Sequence, residues 1–179
     1  MLARPPRGNT VRAFHGLKNI RDVPFAELLR LQLSDNATCL LSTKDKTACV
    51  LLASPGSGDT PPSRQRATGV IQALYRIESG WHIEYQQLLT VPELQRQSHV
   101  CGRSLQLPRA TDDQHELFRS VHREHVHVER VAGIVHIKHG RRGGAPGHIR
   151  NERSTFWRET IDLDLFKVVT DAPVTSLCD

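Results

Sequence analysis

Aromatic side chains are scarce in this chain: Phe, Trp and Tyr together make up 5% of its 179 residues. A surface that reads nucleic acid by stacking on its bases needs several of them, so little material exists for one. Cysteine is scarce as well, with four residues and no C-x-x-C pair. That excludes a disulfide-dense scaffold and argues against a cysteine zinc site. Cys39, Cys49, Cys101 and Cys178 read as buried or partly buried free thiols in a reducing compartment. No apolar run nears the roughly 20 residues that span a bilayer, so membrane insertion is not expected. The opening MLARPPRGNT lacks the apolar core of a secretory signal. Catalytic signatures are missing too: there is no G-x-S-x-G, no H-E-x-x-H and no G-x-x-x-x-G-K-[ST]. Gly56-Ser57-Gly58-Asp59 has no third glycine and opens no helix, so it is not a dinucleotide fingerprint.

Acid is absent from residues 1–21, which carry Arg4, Arg7, Arg12, Lys18 and Arg21. This stretch reads as a flexible basic arm ahead of a single domain over 22–179. Its composition also suits a mitochondrial presequence, although Pro5, Pro6 and Gly8 interrupt an early amphipathic helix. The expected location is intracellular, cytoplasmic or in the mitochondrial matrix. The net charge of +5 is unevenly spread. Residues 138–158 hold six cations (Lys138, Arg141, Arg142, Arg150, Arg153, Arg158) against Glu152 alone, whereas 159–179 hold five acids against Lys167. A local excess of this kind suits docking on an anionic partner.

What is present is strand pattern. Residues 37–43 and 47–53 are apolar runs joined by Lys44-Asp45-Lys46, predicting a central hairpin. A second hairpin is predicted over 69–78 and 81–89, turning at Ser79-Gly80. There Trp81, Ile83 and Tyr85 share one face and His82, Glu84 and Gln86 the other. Residues 125–131, 134–139 and 155–169 alternate as well, the last with Ile161, Leu163 and Leu165 inward and Asp162 and Asp164 outward. Helices are predicted at 22–33, at 91–97 behind the capping box Thr90-Val91-Pro92-Glu93, and at 111–123 behind Thr111-Asp112-Asp113-Gln114. The segment 54–63, SPGSGDTPPS, is loop by composition. The fold class is therefore α+β: a mainly antiparallel sheet of about six to seven strands built from hairpins, with two or three short helices packed on it.

Two segments carry candidate function. Six of the ten histidines lie between residues 122 and 148. If Ala132-Gly133 is a hairpin turn, Glu129 faces His136, and His125, His127, Glu129 and His136 share one face able to hold a divalent metal. If the strand runs straight through Gly133, His136 turns away and the set dissolves. The second segment is the loop 139–150, with four glycines and three arginines. Glycine-rich backbone forms anion-binding nests, and guanidinium forks match phosphate. Lys138, Arg141, Arg142, Gly143, Gly144, Arg150 and Arg153 are the candidate polyanion contacts, flanked by Phe156 and Trp157, either of which would stack on a base if exposed. The preferred function is a non-enzymatic binding module for a phosphate-rich partner, RNA or an RNA-containing assembly. The alternatives are a histidine-based enzyme, with or without a divalent metal, acting on an anionic substrate, and an accessory subunit of a larger complex.

Overall fold

The computed structural model describes residues 10–17, 20, 23–53, 67–108, 111, 113–140 and 155–169. In chain order these form α1 (Val11–His15), β1 (Phe25–Ala26), β2 (Leu28–Ser34), β3 (Ala37–Ser42), β4 (Ala48–Leu52), β5 (Ala67–Ile77) and β6 (Gly80–Thr90). Then follow α2 (Val91–Val100), β7 (Glu116–Ser120), β8 (Glu124–His127), a 3-10 turn at Val128–Arg130, β9 (Val131–His136), β10 (Lys138–His139), β11 (Phe156–Asp162) and β12 (Lys167–Val169). Mixed α and β with strands predominant agrees with the sequence reading, but the sheet is larger than six to seven strands. One sheet has ten strands, and β2 and β3 form a second, two-stranded one.

The main ladder runs β10-β11-β7-β6-β5-β4-β9. Its two ends, β9 and β10, are consecutive in the chain and separated only by Ile137. β9 pairs antiparallel with β4, the Ile137 amide donates to the Thr47 carbonyl, and β10 then pairs in parallel with β11. A single bent segment therefore joins both ends of the ladder, and six walls close into a barrel. The interior confirms the closure: Cys49, Val70, Leu88, Leu117, Ile137 and Trp157 pack together, one from each wall. Burial pushes the Cys49 thiol pKa up to about 12, with Asp45 adding to the shift, so this thiol is inert.

β6 is long enough to serve two neighbours along one edge. Leu88–Thr90 pair with β7, while His82–Tyr85 pair with β8. β5 does the same, meeting β4 at one end and β1 at the other. A β-bulge between Ile71 and Ala73 shifts the register of β5, so that Ile71 and Leu74 face the same core. The even-numbered face of β6 runs from Leu88 inside the barrel through Gln86 to Glu84 and His82 beyond its mouth.

The hairpin β5–β6 and its face assignment agree with the sequence reading. Gly80 takes φ 118° at this turn, and a Cβ there would come within 2.8 Å of His127 Nε2. The capping box of α2 is also observed: Glu93 N–H donates to Thr90 Oγ1 and Thr90 N–H to Glu93 Oε2. The helix buries Val91 and Leu94 against Leu89, Phe118 and Ile161. Thr90→Ala should lower stability by about 1 kcal/mol, read as a shift of the urea midpoint at unchanged slope.

Several other readings are corrected. Residues 22–33 do not form the predicted helix: Leu28–Ser34 is a strand in which Leu29, Leu31 and Leu33 pack inward, and it turns at Asp35-Asn36 into β3. The first predicted hairpin is split, since β3 pairs with β2 while β4 enters the barrel between β5 and β9. The helix predicted for 111–123 is strand β7, whose Leu117 points into the barrel and Phe118 toward α2. Both faces are covered, so its apolar pattern lacks strand alternation. Residues 155–169 are two strands, not one, and Leu165 is 62% exposed at the turn between them. Loop 54–63 lies outside the described residues. No helix of the described residues is long and apolar enough to cross a membrane.

Candidate functional site

β8 and β9 do not pair with each other, so the hairpin register of the histidine segment does not occur; the strand runs straight through Gly133, the alternative in which the set dissolves. β8 lies against β6 and β9 against β4. Gly133 sits inside β9, and His136 opposes Ala48 at a different edge of the barrel. Glu129 falls in the 3-10 turn, where its carboxylate lies 3.4 Å from His127 Nδ1. The set His125, His127, Glu129 and His136 is not brought together. Among the described residues, the metal-capable group that does converge is His122, Asp162 and Asp164, within 4.8 Å on the surface. Asp162 Oδ1 already accepts the amides of Asp164 and Leu165, which explains this carboxylate as a turn former.

His125 and His127 do point to one side, as an H-x-H on a strand should, and the register supplies their neighbours from β6 and β5. His127 lies opposite His82, which lies opposite Tyr75; His125 lies opposite Glu84, which lies opposite Ala73. Directly opposed residues present their side chains on one face. α1 covers this face. Thr10, just before the helix, donates its N–H and its hydroxyl to Glu84 Oε2 at 2.8 and 3.1 Å. His125 Nε2 is 2.8 Å from Thr10 Oγ1, and its Nδ1 is 2.9 Å from Tyr75 Oη. Tyr75 Oη is in turn 2.7 Å from His15 Nε2 on the helix. Phe14 stacks on the His125 ring at 4.2 Å, and Val11 is wholly buried among Phe25, Ala73 and Tyr75.

Glu84 is 0% exposed, and Arg123 is its charge partner at 2.6 Å. A carboxylate here needs that guanidinium and both Thr10 donors to offset its desolvation. A groove of about 500 Å³ opens beside the pair, lined by Thr10, Ala13, Phe14, Val121, His122, Arg123 and His125.

Three imidazoles of this face, His15, His82 and His125, are shifted toward the neutral form. Burial lowers the pKa of His15, and His82 nearby lowers it further. Burial also lowers His82, with the Gly80 carbonyl opposing and His127 adding to the shift. His125 is lowered by burial against the pull of Glu84, with His15, Arg123 and His82 contributing. A histidine lowered in the folded state binds fewer protons there than in the unfolded chain. Its stabilising contribution is complete above the ordinary imidazole value of 6.5 and is lost as pH falls below it.

A second cluster lies at the barrel mouth. The Arg119 guanidinium sits 4.7 Å from the Trp157 ring centroid, and His139 stacks on the same ring at 4.0 Å. Arg119 also donates to Thr160 Oγ1 at 3.0 Å. Desolvation and then the nearby Arg119 charge lower the pKa of both Lys46 and His139. Phe156 and Trp157 are buried, so neither is available to stack on a base. Of the predicted polyanion contacts, Lys138 is on exposed β10, while Arg141, Arg142, Gly143, Gly144, Arg150 and Arg153 lie outside the described residues.

Sequence reasoning missed Thr10, His15, Tyr75, His82, Glu84 and Arg123. The signal for two of them was visible, since His82 and Glu84 share a strand face, but that face reads as solvent-facing until a helix is known to cover it. Fold and site together define a small closed β-barrel with a helix-covered histidine face. No protein-family model matches the chain, and no curated protein matches it.

Proposed function

We propose that the protein is a non-enzymatic binding module that docks on a phosphate-rich polymer, RNA or an RNA-containing assembly, through the rim of its barrel mouth. One observation carries the reading: Arg119 and His139 both rest on the Trp157 ring, beside exposed Lys138 in the chain, where the chain leaves the barrel at Gly140 and enters the arginine- and glycine-rich segment. That segment adds Arg141, Arg142, Arg150 and Arg153 in sequence directly after the cluster. Backbone phosphate, not base, is the feature recognised, because the neighbouring aromatics Phe156 and Trp157 are buried.

Phosphate recognition makes affinity fall steeply with salt. Fluorescence anisotropy with a labelled single-stranded RNA should give a linear fall of log affinity with log salt, by about 0.7 per phosphate contact. Replacing Arg141 and Arg142 with glutamine should reduce that slope by about 1.4 if each holds one phosphate. No binding at about 20 mM salt, or a double variant with unchanged slope and affinity, rejects the reading.

A further inference from the structure

We propose that α1 is an acid-released latch: it closes the histidine face at neutral pH and leaves it when His15 and His82 take up protons, while the barrel stays folded.

The latch is weak by construction. α1 has five residues, too few to persist as a helix in water without docking. Val11 is its buried apolar anchor. Leu17 and Ile20 behind it pack on the same cluster, and the helix's remaining hold on the barrel is polar and aromatic: Thr10 to Glu84 and His125, His15 to Tyr75, and Phe14 on the His125 ring. Every one of these contacts except the Thr10 amide's bond to Glu84 involves an imidazole or its hydroxyl partner.

The surrounding charges set the direction. His15 on α1 has the His82 ring 5.4 Å away on β6 and the His125 ring 6.0 Å away on β8. β5 contributes only Tyr75, a neutral hydroxyl. His82 has His127 at 4.9 Å from β8, and the Gly80 carbonyl on its own turn. Glu84 is the carboxylate on this face, and it is already held by Arg123 and both Thr10 donors. Glu129 lies against His127, and Arg12 of α1 turns back to the Leu17 carbonyl. Protons added at His15 and His82 therefore place two like charges about one ring-contact apart with no acid between them. Undocking separates them and hydrates both. For each imidazole whose pKa rises by one unit on undocking, acid multiplies the opening constant by about ten. The barrel interior holds none of these groups, since Val70, Leu88, Leu117, Ile137 and Trp157 line it beside Cys49. Opening exposes Ala73 and Tyr75 and widens the groove beside Arg123.

Amide hydrogen exchange on the full chain separates the latch from the barrel. The reporters are the Thr10, Phe14 and Leu17 amides, which bond to Glu84, Thr10 and Arg12 respectively. After correction for intrinsic rates, their protection should drop roughly tenfold or more between about pH 7.5 and pH 5.5. The β5–β6 amides should keep theirs. His15→Gln with His82→Gln, which removes the two facing rings and leaves an amide to reach Tyr75, should abolish most of that drop, leaving only the part carried by His125. Unchanged helix protection at low pH in the native sequence overturns the proposal. So does joint loss of protection in helix and barrel, or a pH dependence undiminished by the double substitution.

Discussion

Arg123→Ala should destabilise the protein by about 3–5 kcal/mol, the range for removing one member of a buried ion pair. The reason is Glu84, which is 0% exposed and has the guanidinium 2.6 Å away as its charge partner in place of water. The Thr10 N–H and hydroxyl remain, so the carboxylate is not abandoned, but they bring dipoles where a charge was. Arg123 itself is 22% exposed, so its own loss of solvation is partial. Urea denaturation of Arg123→Ala beside Glu84→Gln and the double variant measures the coupling. The double variant should be markedly less damaged than Arg123→Ala, because glutamine carries no charge to strand. A loss below about 1 kcal/mol for Arg123→Ala would mean that water reaches Glu84.

Trp157→Ala should cost a comparable 3–5 kcal/mol, as large-to-small changes in packed interiors do. Trp157 fills the barrel beside Cys49, Val70, Leu88, Leu117 and Ile137, so alanine leaves a void bounded by all six walls. Arg119 and His139 lose the ring they rest on, and the mouth cluster should loosen with the core. Leu165→Ala is the matched control. That side chain is 62% exposed, and its removal should change stability by no more than about 0.5 kcal/mol. Chemical denaturation of the two variants decides the matter. Equal, small effects would mean that Trp157 is not enclosed and the sheet is open.

The histidine face and the barrel mouth lie on the same side of β6, one past the other. Leu88 is inside the barrel, Gln86 reaches the Ser120 carbonyl at its rim, and Glu84 and His82 continue under α1. Anchoring of α1 and packing of the barrel are therefore linked through one continuous strand, which is why the two large predicted losses are best tested for additivity.

What could be read without coordinates was whatever depends on near neighbours in the chain. The hairpin of β5 and β6 follows from two alternating runs and a Ser79-Gly80 turn, and α2 from a capping box whose hydrogen bonds span three residues. The common face of His125 and His127, and of His82 and Glu84, follows from the two-residue repeat of a strand. Leu29, Leu31 and Leu33 also alternate, so β2 was legible; the apparent caps at Asp22 and Pro24 suggested the helix instead.

Only tertiary structure decided which strands meet. β8 could have turned back on β9, and Ala132-Gly133 does not forbid it; pairing with β6 prevails because it buries Val126 with Ile83 and Leu74. That choice scatters the expected metal set and assembles a different cluster from α1, β5, β6 and β8. Closure of the barrel likewise depends on one bend at Ile137, and a closed barrel buries β7 on both faces, which erases the alternation that marks a strand. Local chemistry sets periodicity and turns, whereas partner choice is a competition among long-range burials that no short window of sequence contains.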